Sequence, residues 1–202
     1  MVFGLRAVIE AIEAGKVIDK ILLRRDMNSA IGKELLSKLE GTSTPVQRVP
    51  VERLNQFTDK NHQGVIAFLS PIDFYRVEDI VQKAFDEGRV PLLMVLDGVT
   101  DPQNLGAIIR TAACVGAHGV IVPERRAVGL TPSAVKASAG AIETVKVARV
   151  TNLKRTLESL KEQGIWLYAA DMAGEDYRAV SFEGPMALII GAEGEGVDRK
   201  HV

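Results

Sequence analysis

Residues 95–117, VLDGVTDPQNLGAIIRTAACVGA, decide how the rest of this 202-residue chain is read. An apolar run over 90–96 predicts a buried strand. It breaks into a polar turn, Asp97-Gly98-Val99-Thr100-Asp101-Pro102-Gln103-Asn104, and a helix follows at once. A strand that delivers polar side chains into a helix is where α/β proteins build sites. Leu105, Ile108, Ile109, Ala112 and Val115 recur at helical spacing and are expected to pack on the sheet. Arg110 points the other way, and its neighbours one turn off are Gly106, Ala107, Ala113 and Cys114. A solvated Arg on an ordinary surface helix is one reading, since charged residues are mostly exposed. An exposed helix face usually carries several charges, however, and a single Arg among small residues favours a partner helix or a bound anion. Pro102 fixes the φ of the turn, and Asn104 could be a plain helix N-cap.

Downstream, strand–helix units repeat. Strands are expected over 119–122, 145–147, 165–170 and 187–190, the third of them buried. A helix spans 152–163. Thr131-Pro132 reads as an N-cap followed by Pro at the first helical position. It opens the Ala-, Ser- and Gly-rich helix SAVKASAGAIE, which is either a tightly packed wall or a place where Lys136 or Ser138 meets a substrate. The last strand, ALII, runs into Gly191-Ala192-Glu193-Gly194-Glu195-Gly196. Glycines let a backbone turn sharply and let a ligand approach it closely. The spacing is Gly-x-x-Gly-x-Gly, not the Gly-x-Gly-x-x-Gly of dinucleotide folds, which argues against a nicotinamide-dependent oxidoreductase. Two acidic residues in the loop repel a pyrophosphate and suit a neutral or cationic ligand. A plain turn remains the simpler reading of the glycines alone.

Upstream, helices are expected over 4–14, 29–40 and 52–57 and strands over 18–25, 46–49 and 64–69. This gives a small α/β module over 1–70. A helix over 75–87 reads as a connector within 71–88, and residues 89–202 form the second domain. Lys plus Arg number 25 and Asp plus Glu 26, a net charge of −1, which counts against bulk electrostatic capture of nucleic acid. Local patches stay open: Arg24-Arg25 and Arg125-Arg126 are the only adjacent Arg pairs, readable as solvated loop charges or as phosphate contacts. One cysteine, Cys114, excludes an internal disulfide, and three scattered histidines show no metal-ligand spacing. No apolar run is long enough to span a bilayer and the start lacks signal-peptide features, so a cytoplasmic protein without membrane contact is expected.

Taken together, LDGVTDPQNLGAIIRTA resembles the first motif of the SpoU-type (TrmH-like) RNA 2′-O-ribose methyltransferases of the knotted SPOUT class. LIIGAEGEGV resembles their second motif and KASAGAIETVKV their middle segment. The front module, with VFGLRAVIEAI and NHQGVIAFL, is similar to the substrate-binding domain of many members, itself akin to a ribosomal-protein RNA-binding domain. Among members, the enzymes that methylate a guanosine ribose in large-subunit ribosomal RNA look most alike. The resemblance implies S-adenosylmethionine as methyl donor, no metal, an RNA partner and a homodimer through the knot domain. It places Asn104, Arg110 and Glu193 in the chemistry. Ala170, Asp171, Gly191, Ala192, Gly194 and Gly196 would hold the donor, and Arg24, Arg25, Arg110, Arg125 and Arg126 the RNA. A guanidinium stays protonated in proteins, so Arg110 reads better as the holder of a phosphate and of the hydroxyl than as a base. The family's third motif, which closes the knot, has no counterpart in residues 197–202, VDRKHV. These 202 residues are therefore expected to hold the donor poorly. The alternative is a catalytically incompetent RNA-binding protein of the same fold.

Overall fold

The computed structural model describes residues 1–42, 44–124 and 127–201. The chain divides into two compact units, Met1–Pro71 and Ile72–Val202.

In the first unit, β1 (Val2–Phe3), α1 (Leu5–Glu13), β2 (Ile18–Arg24), α2 (Ala30–Leu39), β3 (Val46–Val49), α3 (Val51–Asn55) and β4 (Val65–Leu69) follow in that order. They form a four-stranded sheet ordered β1-β4-β2-β3. β4 runs antiparallel to β1 and β2, and β3 lies parallel to β2. Alternation along β2 sends Ile21 and Leu23 under α1 and α2, and Leu22 to the opposite face with Val49, Leu54 and Ile66. Ser29 caps α2, its hydroxyl accepting from the Gly32 N–H at 3.1 Å.

The second unit runs α4 (Val77–Asp86), β5 (Leu92–Leu96), α5 (Pro102–Cys114), β6 (Gly119–Pro123), α6 (Pro132–Ala137), β7 (Lys146–Val150), α7 (Leu153–Glu162), β8 (Trp166–Ala169) and β9 (Met186–Ile190). The five strands are parallel, in the order β7-β6-β5-β9-β8. α4 and α7 bury Val77, Ile80, Val81, Leu153, Leu157 and Leu160 on one face. α5 and α6 bury Leu105, Ile109, Ala112 and Ala134 on the other. Among the described residues no helix is long and apolar enough to cross a membrane.

Several local expectations are corrected. The residues around 75 are extended, not helical: the Tyr75 N–H donates to the Val147 carbonyl at 2.9 Å and lengthens the sheet at β7. The connector helix α4, whose packing on either domain stayed open, shares its core with Leu93, Val95 and Ile121 in the second unit. Helix 133–143 is broken: Ala139 has φ 49°, and α6 gives way to a separate 3-10 turn at Ala141–Glu143. Val115 is 57% exposed because it lies beyond the last helical turn. β8 is an edge strand, and Trp166 on it is 65% exposed.

Candidate active site at the switch between β5 and β9

Chain order dictates where a crevice opens. From β5 the chain proceeds outward through β6 to β7, then returns to β8 at the far edge and fills in with β9. β5 and β9 are therefore neighbours whose connections diverge, the position at which parallel sheets leave a cleft beyond the strands' carboxyl ends. The loops after these strands are the two singled out in the sequence.

Two adjoining clefts lie there. The first, about 500 Å³, is walled by Gly98, Thr100, Asn104, Ala107 and Ile108 on the β5–α5 side and by Gly191, Ala192, Glu193 and Glu195 on the β9 side. The second, about 700 Å³, is bounded by Asp97, Pro123, Asp171, Gly196, Asp198 and His201. Gly98, Thr100, Ala192 and Glu195 line both. At this waist Gly98 has φ 80°, and a Cβ there would stand 3.2 Å from that of Ala192, so a left-handed turn and a close approach both require glycine.

The helix begins earlier than expected, which changes the role of Asn104. Asp101 is the N-cap, accepting from the Gln103 N–H at 2.7 Å, and Pro102 occupies the first helical position. Asn104 is thereby released from capping. Its Nδ2 donates to Oε2 of Glu193 at 3.3 Å, joining the first turn of α5 to the bend after β9. Gly191 sits at the base of that bend: a Cβ on it would overlap the backbone of Gly196, 1.9 Å away. The bend is closed by the reciprocal pair Ala192 N–H to Gly196 O and Gly196 N–H to Ala192 O, each 2.9 Å.

The remaining sequence candidates are distributed unevenly. Arg110 is exposed, lies six residues beyond Asn104 on α5, and lines neither cleft. At about 1.5 Å per residue this places its Cα some ~9 Å farther along the helix. The small face beside it is used in part by α6, since Gly106 is buried against Ala134 and Ala137. Gly191 and Ala192 line the first cleft, and Asp171 and Gly196 the second, whereas Ala170 and Gly194 line neither. Lys136 is exposed and Ser138 is buried, its hydroxyl donating to the Val135 carbonyl at 2.7 Å; neither lines a cleft. In the first unit Arg24 Nε lies 2.6 Å from Oδ1 of Asp26, and exposed Arg25 accepts at its carbonyl from Arg48. Arg125 and Arg126 fall outside the described residues.

The sequence reading passed over Asp97. It is 7% exposed, and its Oδ2 accepts from the Asp198 N–H at 2.9 Å and faces His201 Nδ1 at 3.0 Å. The signal was present: a lone acidic residue closing an apolar strand is buried only if something bonds it.

The arrangement offers two lobes joined at a glycine waist, with acidic side chains on the β9 side. It suits two ligands whose reacting atoms meet at the waist, one of them uncharged or cationic.

The comparisons agree with this architecture. Residues 91–202 match the SpoU rRNA methylase family, and residues 1–75 match the substrate-binding domain of RNA 2′-O ribose methyltransferases. YacO of Bacillus subtilis (strain 168), a protein of the TrmH tRNA/rRNA methyltransferase family, is 41% identical over 98% of this chain and 80% of its own length. A TrmH-family relative from Staphylococcus haemolyticus is 38% identical with the same coverage. Among solved structures, the SpoU methyltransferase AviRb from Streptomyces viridochromogenes with AdoMet superposes with TM-score 0.56 at 25% identity, over 98% of this chain and 75% of that one. An AdoMet-bound rRNA methyltransferase from Sinorhizobium meliloti gives TM-score 0.57 at 25% identity, over 98% and 72%. With matches of this extent at both the motif and the fold level, the chain belongs to the SpoU/TrmH family of RNA methyltransferases.

Proposed function

We propose that this protein transfers the methyl group of S-adenosylmethionine to the ribose 2′-hydroxyl of a nucleotide in structured RNA, guanosine in large-subunit ribosomal RNA. The observation that carries the reading is the Asn104–Glu193 hydrogen bond, which joins the two motif loops across one cleft. The donor is a sulfonium with no phosphate, and the first cleft fits it: Asp101, Glu193 and Glu195 line it and disfavour a pyrophosphate, whereas in the second Asp171 is accompanied by Arg199. When bound, it would supply an electrophilic methyl to the ribose oxygen, with the neutral thioether leaving and the hydroxyl proton passing to water. The backbone of the 191–196 bend would receive the adenosine part. Asn104, held by Glu193, orients the acceptor, and alignment of this kind supplies much of the acceleration of an in-line displacement.

Arg110 would hold the target phosphate and orient the hydroxyl. The reading includes a homodimer through the second unit, in which exposed Arg110 faces the cleft of the other copy. Arg24 and Arg25 would contact RNA phosphates from the first unit. One observation favours the alternative of an RNA-binding protein without chemistry: Arg110 lies outside its own cleft.

Because residues 197–202 carry no counterpart of the family's third motif, the deciding experiment incubates a chain that also contains that motif with radiolabelled S-adenosylmethionine and large-subunit ribosomal RNA from cells lacking the gene. Modified riboses are then mapped by their resistance to alkaline hydrolysis. Label at one guanosine ribose is expected. Donor binding by calorimetry without any label on RNA would overturn the acceptor assignment, and absence of donor binding would favour the non-catalytic alternative.

A further inference from the structure

The three aromatic residues of the first unit, Phe3, Phe57 and Phe68, all lie on one face of its sheet. They pack with Leu22, Val49, Leu54 and Ile66, whereas the core beneath α1 and α2 contains no aromatic side chain. Burial alone would favour the reverse, since two helices of nine and ten residues cover more sheet than the five-residue α3 on the aromatic side. The rings are consequently left half-buried.

Two cations sit on them. Lys20 is the cross-strand neighbour of Phe68, and its Nζ lies 5.0 Å from that ring's centre. The Arg53 guanidinium lies 5.3 Å from the centre of Phe57. The two rings meet edge to face with centroids 5.1 Å apart. Both cations are exposed. Arg24, on the same face, differs in already being paired with Asp26 at 2.6 Å.

Partly exposed rings, flanked by the exposed cations Lys20 and Arg53, the latter donating to Oε1 of Gln56 at 2.6 Å, match the two chemical needs of an unpaired nucleotide: a π-face for the base and a positive charge for the phosphate. A duplex hides its bases and is recognised by shape, so it gains nothing from the rings. We infer that the face carrying Lys20, Phe68, Phe57 and Arg53 is a stacking platform for single-stranded RNA. The inference rests on RNA as the substrate class and assigns which surface of the first unit meets it and in what form.

The test is fluorescence anisotropy on the full chain with a labelled single-stranded RNA of about 12 nucleotides, within the usual footprint of such platforms, and with a duplex of equal length. Three proteins are compared with wild type: Phe57→Leu, which keeps apolar packing and removes the ring, Lys20→Ala with Arg53→Ala together, and Lys33→Ala, which removes an exposed cation from α2 on the opposite side of the sheet. Circular dichroism and urea midpoints confirm folding. Phe57→Leu is expected to weaken single-strand binding about fivefold or more. The double cation variant is expected to weaken it about tenfold and to flatten its salt dependence by one to two phosphate contacts' worth, roughly. Lys33→Ala is expected to change little. Wild-type affinity in both platform variants, equal losses on the duplex, or no binding of the single strand by wild type would each overturn the inference. A wild type that binds through the platform yet transfers no methyl group would instead overturn the enzymatic reading and leave the platform standing.

Discussion

His201 Nδ1 lies 3.0 Å from Oδ2 of Asp97, although 104 residues separate them along the chain. The same oxygen accepts the Asp198 N–H at 2.9 Å. A single buried carboxylate at the end of β5 thus holds the segment that follows the glycine bend. Truncating it in Asp97→Ala leaves an N–H and an imidazole without their acceptor, at a cost of about 1–3 kcal/mol. The urea midpoint should fall accordingly. His201→Ala, which keeps the Asp198 contact, should cost less. Equal midpoints for wild type and Asp97→Ala would show that the anchor does not hold the segment.

Gly106 provides a test in which two effects oppose each other. In an exposed helix, Gly→Ala gains about 1 kcal/mol. Here the new Cβ would lie 2.4 Å from that of Ala137, 2.6 Å from the Ala134 carbonyl and 2.8 Å from the Ser138 nitrogen. Two of these are backbone atoms of α6 and its end, which cannot rotate away. Overpacking of this kind costs about 1–3 kcal/mol. Gly106→Ala is therefore expected to lower the thermal midpoint, and Gly106→Val to lower it further. A raised midpoint for the alanine variant would mean that α6 yields readily.

These two residues also show what a sequence reveals and what it hides. The apolar runs of β5, β6 and β9 and the turn chemistry after β5 are local signals, and they located both motif loops on strand ends. The cap at Thr131 was equally local. Asp97 was not legible as an anchor because its partners lie about a hundred positions away. The break after α6 was missed because Ala139 adopts φ 49°, which alanine rarely does and composition does not announce. Trp166 read as core because an apolar run looks alike in a central strand and at an edge. Of the two readings of Asn104, cap or site residue, the cap is taken by Asp101, three residues earlier.

Arg110 separates stability from chemistry. It is exposed, and no side-chain hydrogen bond or ion pair to it is found among the described residues. Arg110→Ala should leave the urea midpoint within about 0.5 kcal/mol of wild type, as surface substitutions do. Under the proposed role, methyl transfer to ribosomal RNA should fall by about 10²-fold or more, the cost of losing orientation. Glu193→Gln should be milder, because the amide still offers an oxygen to Asn104. Transfer by Arg110→Ala at the wild-type rate would remove the residue from the mechanism.

His118 gives the second unit a sensitivity to mild acid. Its Nδ1 accepts the Leu92 N–H at 3.1 Å, so the proton of the neutral ring sits on Nε2, which is buried without a partner. Burial, then the positive charge of Arg89, hold its pKa below the usual histidine value; Lys146 acts in the same direction and Glu87 against it. The sign follows from linkage. Protonation is easier in the unfolded chain than in the folded one, so the unfolded state takes up the proton first as pH falls. The contribution is complete above the unfolded value of about 6.5 and is lost as pH drops toward the lower folded value. Urea midpoints measured between about pH 7.5 and 5 should therefore decline more steeply for wild type than for His118→Gln, whose side chain does not titrate. His62 and His201 are present in both proteins, so their contributions cancel in the difference. Parallel declines would show that His118 protonates as readily folded as unfolded, and the burial of its Nε2 would then carry no energetic consequence.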